Sequence, residues 1–317
     1  MNKELVSFLE FSFLSPLLKD EDITDISYNG KDIYYLHNKL GRKKSEITIS
    51  KDEVMVFIRQ IANLAEKQFS FTTPYIDVSE GRYRINAIHQ SIVRVDNEKS
   101  ISFSIRIASP NNRILTSKSF MNSKMKEFLM DCLKNQKSIV IGGPTGSGKT
   151  ELQKYLLCSL PDNTRVVVID NVQELEFIRA NPNLDITSWE ANDSHPNASI
   201  NDLIRQALRS NPDWLVVAES RGKEMNDVLN SVMTGHPIIT TMHAKSLQAM
   251  PHRLVRMIEM AETKETYEDI MGDLMSHIPV YVFVKREISK SGKVKRYIEA
   301  IGEVQNQVLV ERFSYGS

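Results

Sequence analysis

Two spacings of hydrophobic residues divide this chain. Up to about residue 107, period-two alternation mixes with helical spacing. GRYRINA sets Tyr83, Ile85 and Ala87 on one face and Arg82, Arg84 and Asn86 on the other. SISFSIRI sets Ile101, Phe103, Ile105 and Ile107 against Ser100, Ser102, Ser104 and Arg106. Both read as half-buried strands. DITDISYNG and KDIYYLHN read as strands around an Asn29-Gly30 turn. KDEVMVFIRQIANLAE carries Val54, Phe57, Ile58, Ile61 and Leu64 at helical spacing. An α+β domain is expected over 1–107, with arginines on the polar faces of two strands, where most such arginines serve a solvated sheet surface. SPNNRILTS has the Pro, Asn and Ser content of a linker, expected over 108–117.

From about 118 the pattern changes. MNSKMKEFLMDCLKNQ is an amphipathic helix, and then continuous apolar runs appear: SIVIG, RVVVID, WLVVAE and PIITTM. Runs of this kind are typical of strands buried on both faces of a parallel sheet. INDLIRQALRS and EMNDVLNSVMTG, between them, place apolar residues three and four apart. The alternation predicts a doubly wound α/β domain over 118–317.

Between the first of these runs and a helical pattern (Leu152, Tyr155, Leu156, Leu160) lies GPTGSGKT, residues 143–150, which matches G-x-x-x-x-G-K-[ST]. Its glycines let the backbone turn N–H groups inward around an anion, and the helix N-terminus adds partial positive charge. The expected nucleotide-binding residues are Gly143, Pro144, Thr145, Gly146, Ser147, Gly148, Lys149 and Thr150. Lys149 is expected to reach the β- and γ-phosphates and the Thr150 hydroxyl to ligate Mg²⁺.

Composition narrows the picture in a few places. The length, 317 residues, suits one large or two ordinary domains. Forty basic residues balance forty acidic ones, so net charge hints at neither a nucleic acid nor a membrane surface. The two cysteines, Cys132 and Cys158, fall on apolar sides of predicted helices and read as buried reduced thiols. Glu4 and Glu10 interrupt the apolar residues of the N-terminal segment, and no run approaches 18 apolar residues. Neither a signal peptide nor a transmembrane segment is expected, and the protein reads as cytoplasmic.

Phosphoryl transfer to water needs Mg²⁺, a group that orients or deprotonates the water, and positive charge at the transition state. Glu219 ends the WLVVAE run, where ligands bind in open α/β sheets, and is the candidate for polarising the water; an ordinary carboxylate at a helix start is the alternative. Asp170 ends RVVVID and Glu174 follows within a short loop; both could face the phosphates, or form a surface turn. His243 ends the last run and could bond a γ-phosphate, although a loop histidine is the commoner fate.

Together these segments resemble the secretion (traffic) ATPase superfamily of type II and type IV secretion, conjugation and type IV pili, closest to its type IV secretion and pilus-assembly branch. GGPTGSGKT resembles the Walker A motif and VIDNVQELEF the acidic Asp box. LIRQALRSNPDWLVVAESRGKE resembles the Walker B block and TGHPIITTMHAKS the His box. The first half is similar to the family's N-terminal domain, and IPVYVFVKREISKSGKVKRYIEAIGEV to its closing strands. The resemblance implies an α/β P-loop NTPase (RecA-like) C-terminal domain behind a smaller α+β domain, with ATP and Mg²⁺ as substrate and cofactor. It implies a cytoplasmic homo-hexamer docked on inner-membrane platform or secretion-machine proteins. Glu219 becomes the catalytic Walker B glutamate, Glu174 the Asp-box acid near Mg²⁺, and His243 the sensor. Arg82 and Arg106 match N-terminal arginines that reach the phosphates on domain closure, and Arg209 and Arg221 match Walker B-block arginines. No direct nucleic-acid contact is expected, since no basic, aromatic-interleaved groove is visible.

Two segments depart from the family pattern. Ile169-Asp170-Asn171 stands where Ile-Glu-Asp is usual, so one acid is shortened and one neutralised. Ala218 replaces the usual glycine before Glu219. The first departure favours a rival reading, a catalytically weak ATP-binding ring. A small-molecule P-loop kinase is a further rival, disfavoured by the His-box segment and the dedicated N-terminal domain.

Overall fold

The structure, a computed structural model, describes residues 2–108, 119–171, 175, 183–192, 195–290 and 292–316. The chain forms two compact units. One comprises Met1–Pro110 with Ile288–Lys295, the other Asn111–Glu287 with Arg296–Ser317. The segment 288–295, expected within the P-loop domain, thus belongs with the first unit. There Val294 N–H donates to the Lys39 carbonyl at 3.0 Å, a backbone bond that no local pattern encodes. The expected linker lies outside the described residues apart from Ala108.

In the first unit, α1 (Lys3–Glu10) and α2 (Ser15–Leu18) precede β1 (Ile23–Tyr28), β2 (Ile33–His37) and β3 (Gly41–Lys44). Then come α3 (Lys51–Leu64), β4 (Tyr75–Glu80), β5 (Tyr83–Ile88), the two-residue strands β6 (Arg94–Val95) and β7 (Glu98–Lys99), and β8 (Ser102–Ile107). The main sheet is antiparallel, in the order β3-β2-β1-β8-β5-β4. Tyr83, Ile85, Ala87, Phe103 and Ile105 are buried, as their alternation requires, in one cluster with Leu5, Leu9, Val54, Phe57, Ile58 and Ile61 of the helices. Helix α3 starts where Ser50 caps the Glu53 amide and the Glu53 carboxylate returns to the Ser50 amide, satisfying two otherwise orphaned donors. Ser50→Ala is expected to cost about 1 kcal/mol, read as a lower urea midpoint with an unchanged slope.

The second unit opens on α4 (Ser123–Lys134), β9 (Ile139–Gly143), α5 (Lys149–Cys158), β10 (Arg165–Asp170) and β11 (Asp185–Glu190). It continues with α6 (Ile200–Ala207), β12 (Trp214–Val217), α7 (Glu224–Met233), β13 (Ile238–His243), α8 (Ala249–Glu259) and α9 (Tyr267–His277). The chain closes with β14 (Val280–Ile288), β15 (Val294–Gln305) and β16 (Val308–Ser314). The sheet order is β11-β10-β12-β13-β9-β14-β15-β16. Pairing is parallel from β11 through β14, and β15–β16 is antiparallel. Consecutive residues of each inner strand enter opposite cores. Ile139, Ile141, Val166, Val168 and Val216 pack with α4 and α5 residues, while Val140, Val167, Ile169, Leu215 and Val217 pack with residues of α6 to α9. That two-sided burial is the cause of the continuous apolar runs. Cys132 lies in the first of these cores, and burial pushes its thiol up to about 12. Strands β11 and β16 and helices α8 and α9 were not singled out in the sequence. The two strands lie at the sheet edges and are largely exposed, so they lack the apolar run that marks the inner ones. Among the described residues no helix is long and apolar enough to cross a membrane.

Candidate active site

Strand β9 delivers the chain to the carboxyl edge of the sheet, and α5 begins six residues later. Gly146 (φ +70°) and Gly148 (φ +101°), the latter the N-cap of α5, adopt the left-handed conformation that side-chain-bearing residues avoid. These two positions turn the loop so that α5 starts with its unbonded N–H groups at the strand's end. Pro144, Thr145 and Gly146 form the exposed apex, Ser147 and Lys149 are buried, and Thr150 is half-buried on the first turn of α5. The Ser147 N–H closes a turn on the Pro144 carbonyl at 3.3 Å, and the buried Ser147 hydroxyl has no hydrogen-bond partner among the described residues.

Lys149 Nζ donates to the carbonyls of Gly143 and Pro144, both at 3.1 Å, and lies 3.2 Å from His243 Nδ1. Sheet register brings the histidine there, since β13 runs parallel to β9 with His243 opposite Gly143. On the next strand Glu219 lies two residues beyond the end of β12. Its Oε1 comes within 2.9 Å of His243 Nε2, and its Oε2 accepts from Arg221 Nη2 at 2.8 Å. The approach to His243 lacks hydrogen-bond geometry, so buried Oε1 has no donor among the described residues. The result is a Lys149–His243–Glu219 chain along the carboxyl edge of three adjacent strands.

Buried polar residues brace this edge. Gln153 Nε2 donates to the carbonyls of Val217 (2.9 Å) and Ile239 (3.2 Å), tying α5 to β12 and β13. The Thr241 hydroxyl donates to the Ala218 carbonyl at 2.8 Å, and the hydroxyls of Ser220 and Thr240 pair at 2.9 Å. Sequence reading missed these four. A Gln amid leucines on α5 and two threonines inside an apolar strand were the available signals, because buried polar groups require partners.

The other expected residues are placed differently. Asp170 ends β10 as expected, but it is buried and its Oδ2 accepts the Leu175 N–H at 3.1 Å. Glu174 lies outside the described residues. In the first unit Arg82 falls one residue before β5 rather than on its open face. Its Nε donates to Tyr83 Oη (3.0 Å), its Nη2 donates to the Leu18 carbonyl (3.0 Å), and Glu10 lies 3.8 Å away. Burial pushes the Tyr83 phenol up to about 12, so it stays protonated and donates to Glu10 Oε1 at 2.9 Å. Arg106 sits opposite Arg84 on β5 and approaches Asp25 of β1 at 3.7 Å. The arginine pair shared by the two strands is therefore Arg84 and Arg106, with Asp25 offsetting the like-charge repulsion.

Fold and geometry together define an α/β protein whose candidate phosphate loop, lysine, histidine and carboxylate converge at the carboxyl edge of a mostly parallel sheet. The family described as Type II/IV secretion system protein matches residues 86–282. The chain is 30% identical over 299 residues to an uncharacterized protein of Bacillus anthracis, a match covering 91% of this chain and 66% of that one. It is 27% identical to the type IV secretion system protein VirB11 of Bartonella quintana, covering 86% and 87%. Among solved structures, the Legionella pneumophila ATPase DotB shares the fold with TM-score 0.68 and 20% identity, covering 93% of this chain and 80% of that one. The VirB11 ATPase of Brucella suis gives 0.51 and 24%, covering 96% and 95%. The chain belongs to the type II/IV secretion ATPase superfamily.

Proposed function

We propose that this protein hydrolyses ATP as one subunit of a cytoplasmic homo-hexameric motor, with a RecA-like core, that powers a secretion, conjugation or pilus-type machine from the inner face of the cytoplasmic membrane. The observation that carries the reading is the Lys149–His243–Glu219 chain beside the 143–150 loop. An ammonium and a carboxylate in line at a phosphate loop, with an imidazole between them, supply two of the things phosphoryl transfer to water requires: positive charge at the phosphates and a group that orients the water. The donor set suits a triphosphate: the loop curls at two left-handed glycines, the buried Ser147 hydroxyl has no partner among the described residues, and the Lys149 ammonium donates to loop carbonyls beside His243.

In this reading Gly143 to Thr150 cradle the phosphates, and Lys149 exchanges the loop carbonyls for the β- and γ-phosphates. Glu219 Oε1 accepts hydrogen bonding from the attacking water, and His243 donates to the γ-phosphate. The oxygen donors Thr150 and Glu174 fit Mg²⁺, a hard cation held by few protein oxygens together with substrate phosphates, and bound Mg²⁺ would neutralise charge developing on the γ-phosphoryl group. The N-terminal domain contributes Arg82 and Arg106 on closure. Arg82 then gives up Glu10 and Leu18, and Arg106 gives up Asp25. Nucleotide-driven closure, repeated around a ring, becomes mechanical work. Recruitment is through inner-membrane platform or secretion-machine proteins.

One observation favours a catalytically weak ring of the same machine: the Asp170 carboxylate, in the altered Asp box, binds the Leu175 backbone amide. Steady-state phosphate release per protomer, measured across protein concentration with ATP and Mg²⁺, separates the readings. The rate per protomer should rise with concentration to a plateau as rings complete one another's sites. A rate near zero at every concentration, with ATP still bound, would replace the motor by the weak ring. A finite but flat rate would sink ring-dependent catalysis.

A further inference from the structure

Two arginines that no motif singled out reach the loop from the strands that follow α9. Arg296 of β15 donates from Nε to the Gly146 carbonyl at 2.7 Å. The stem of this side chain runs along the loop, and a Cβ added at Gly148 would lie 3.7 Å from Arg296 Cδ. Backbone anchors it there, since the Ile298 N–H donates to the Phe120 carbonyl at 2.8 Å and the Phe120 ring also borders Gly148, 3.2 Å from where its Cβ would sit. Arg286 of β14 lies over Gly146 as well, its Nη1 3.3 Å from where a Cβ would sit, and its buried Nε has no partner among the described residues. Strand β14 runs parallel to β9 with Phe283 opposite Gly142, so its charged end emerges beside the loop.

We propose that Arg296 and Arg286 are positioning residues for the nucleotide, clamping the apex of the phosphate loop from outside. The inference rests on the loop being a nucleotide site. The reason for a second clamp is visible in the first. Lys149 holds the loop by the Gly143 and Pro144 carbonyls, and these are the bonds it surrenders when it turns to phosphates. A loop containing Gly143, Gly146 and Gly148 would then loosen, and ordering such a glycine-rich segment costs more conformational entropy than ordering other residues. The Arg296 bond comes from another strand and survives that exchange. By holding the Gly146 carbonyl outward it keeps the following amides available to an anion and polarises the 146–147 peptide. Arg286, with an unused buried donor beside the same residue, adds the charge that the departing lysine takes away.

The test measures ADP affinity by titration of the full chain, beside the melting temperature with and without ADP. For Arg296→Met and Arg286→Met, affinity should fall about tenfold, the scale of one lost charge-assisted hydrogen bond. Melting without nucleotide should stay within about 2 °C of wild type, and the ADP-induced rise in melting temperature should shrink. Arg286→Lys, which keeps the charge, should recover most of the affinity. Unchanged affinity in both Met variants overturns the proposal, as does an equal drop in melting temperature with and without ADP, which would make the arginines merely structural. Failure of wild type to bind ADP would instead overturn the nucleotide-site reading itself.

Discussion

Glu219→Gln should reduce phosphate release by roughly 10²–10⁴-fold, the span of general-base contributions, while ATP remains bound. The carboxylate is set up for this role. Oε2 is held by Arg221 at 2.8 Å, and Oε1 is buried, beside His243 and without a donor among the described residues. A buried carboxylate oxygen calls for a hydrogen-bond donor, and a water positioned against the γ-phosphate would be one. The amide keeps the shape but loses the charge and the basicity. Because Glu219 lies off the loop itself, nucleotide affinity should change little. Phosphate release and equilibrium ATP binding measured on the same preparation decide the matter. A variant keeping more than a tenth of the wild-type rate would move the base elsewhere.

Lys149→Met should produce the opposite signature, with affinity lost ahead of chemistry. Methionine approximates the lysine stem, so folding should survive, although the Gly143 and Pro144 carbonyls lose their donor and His243 loses its neighbour. Two charge-assisted hydrogen bonds to phosphate, at about 1.5–3 kcal/mol each, amount to roughly a hundredfold loss or more in ATP affinity. Calorimetric titration against wild type reads this directly, and near-wild-type affinity would mean that Lys149 stays folded on the loop carbonyls when nucleotide binds. The two variants together separate binding from hydrolysis at one site, and a pair that behaved alike would argue against the division of labour drawn here.

How far the chain could be read ahead of its structure follows the range of the forces involved. The strand–loop–helix at 139–158 was legible because its determinants are local: apolar residues in a run, glycines where φ turns positive, and leucines at helical spacing. The strands of the mostly parallel sheet were legible because burial on both faces demands continuous apolar runs. The exposed edge strands β11 and β16 were not, since partial exposure removes that demand. Glu219 and His243 could be nominated from their places at the ends of such runs, but not shown to meet. Their meeting depends on β12, β13 and β9 pairing side by side in one register, and a slip of one residue would turn every side chain to the opposite face.

Other features belong to tertiary structure alone. Arg82 was set beside Arg84 by alternation, yet it is bound by Glu10, Tyr83 and a carbonyl from α2, groups 72, 1 and 64 residues away. Gln153 looked like one polar residue of a helix until its two carbonyl partners appeared on strands 64 and 86 residues later. Arg296 reaches Gly146 across 150 residues. Local propensity and hydrophobic period marked the inner strands, several of the helices and the candidate phosphate loop, because each is a property of neighbours along the chain. Which charged groups surround that loop was decided only when strands distant in sequence came into register, because such contacts arise from packing that no window of the sequence contains.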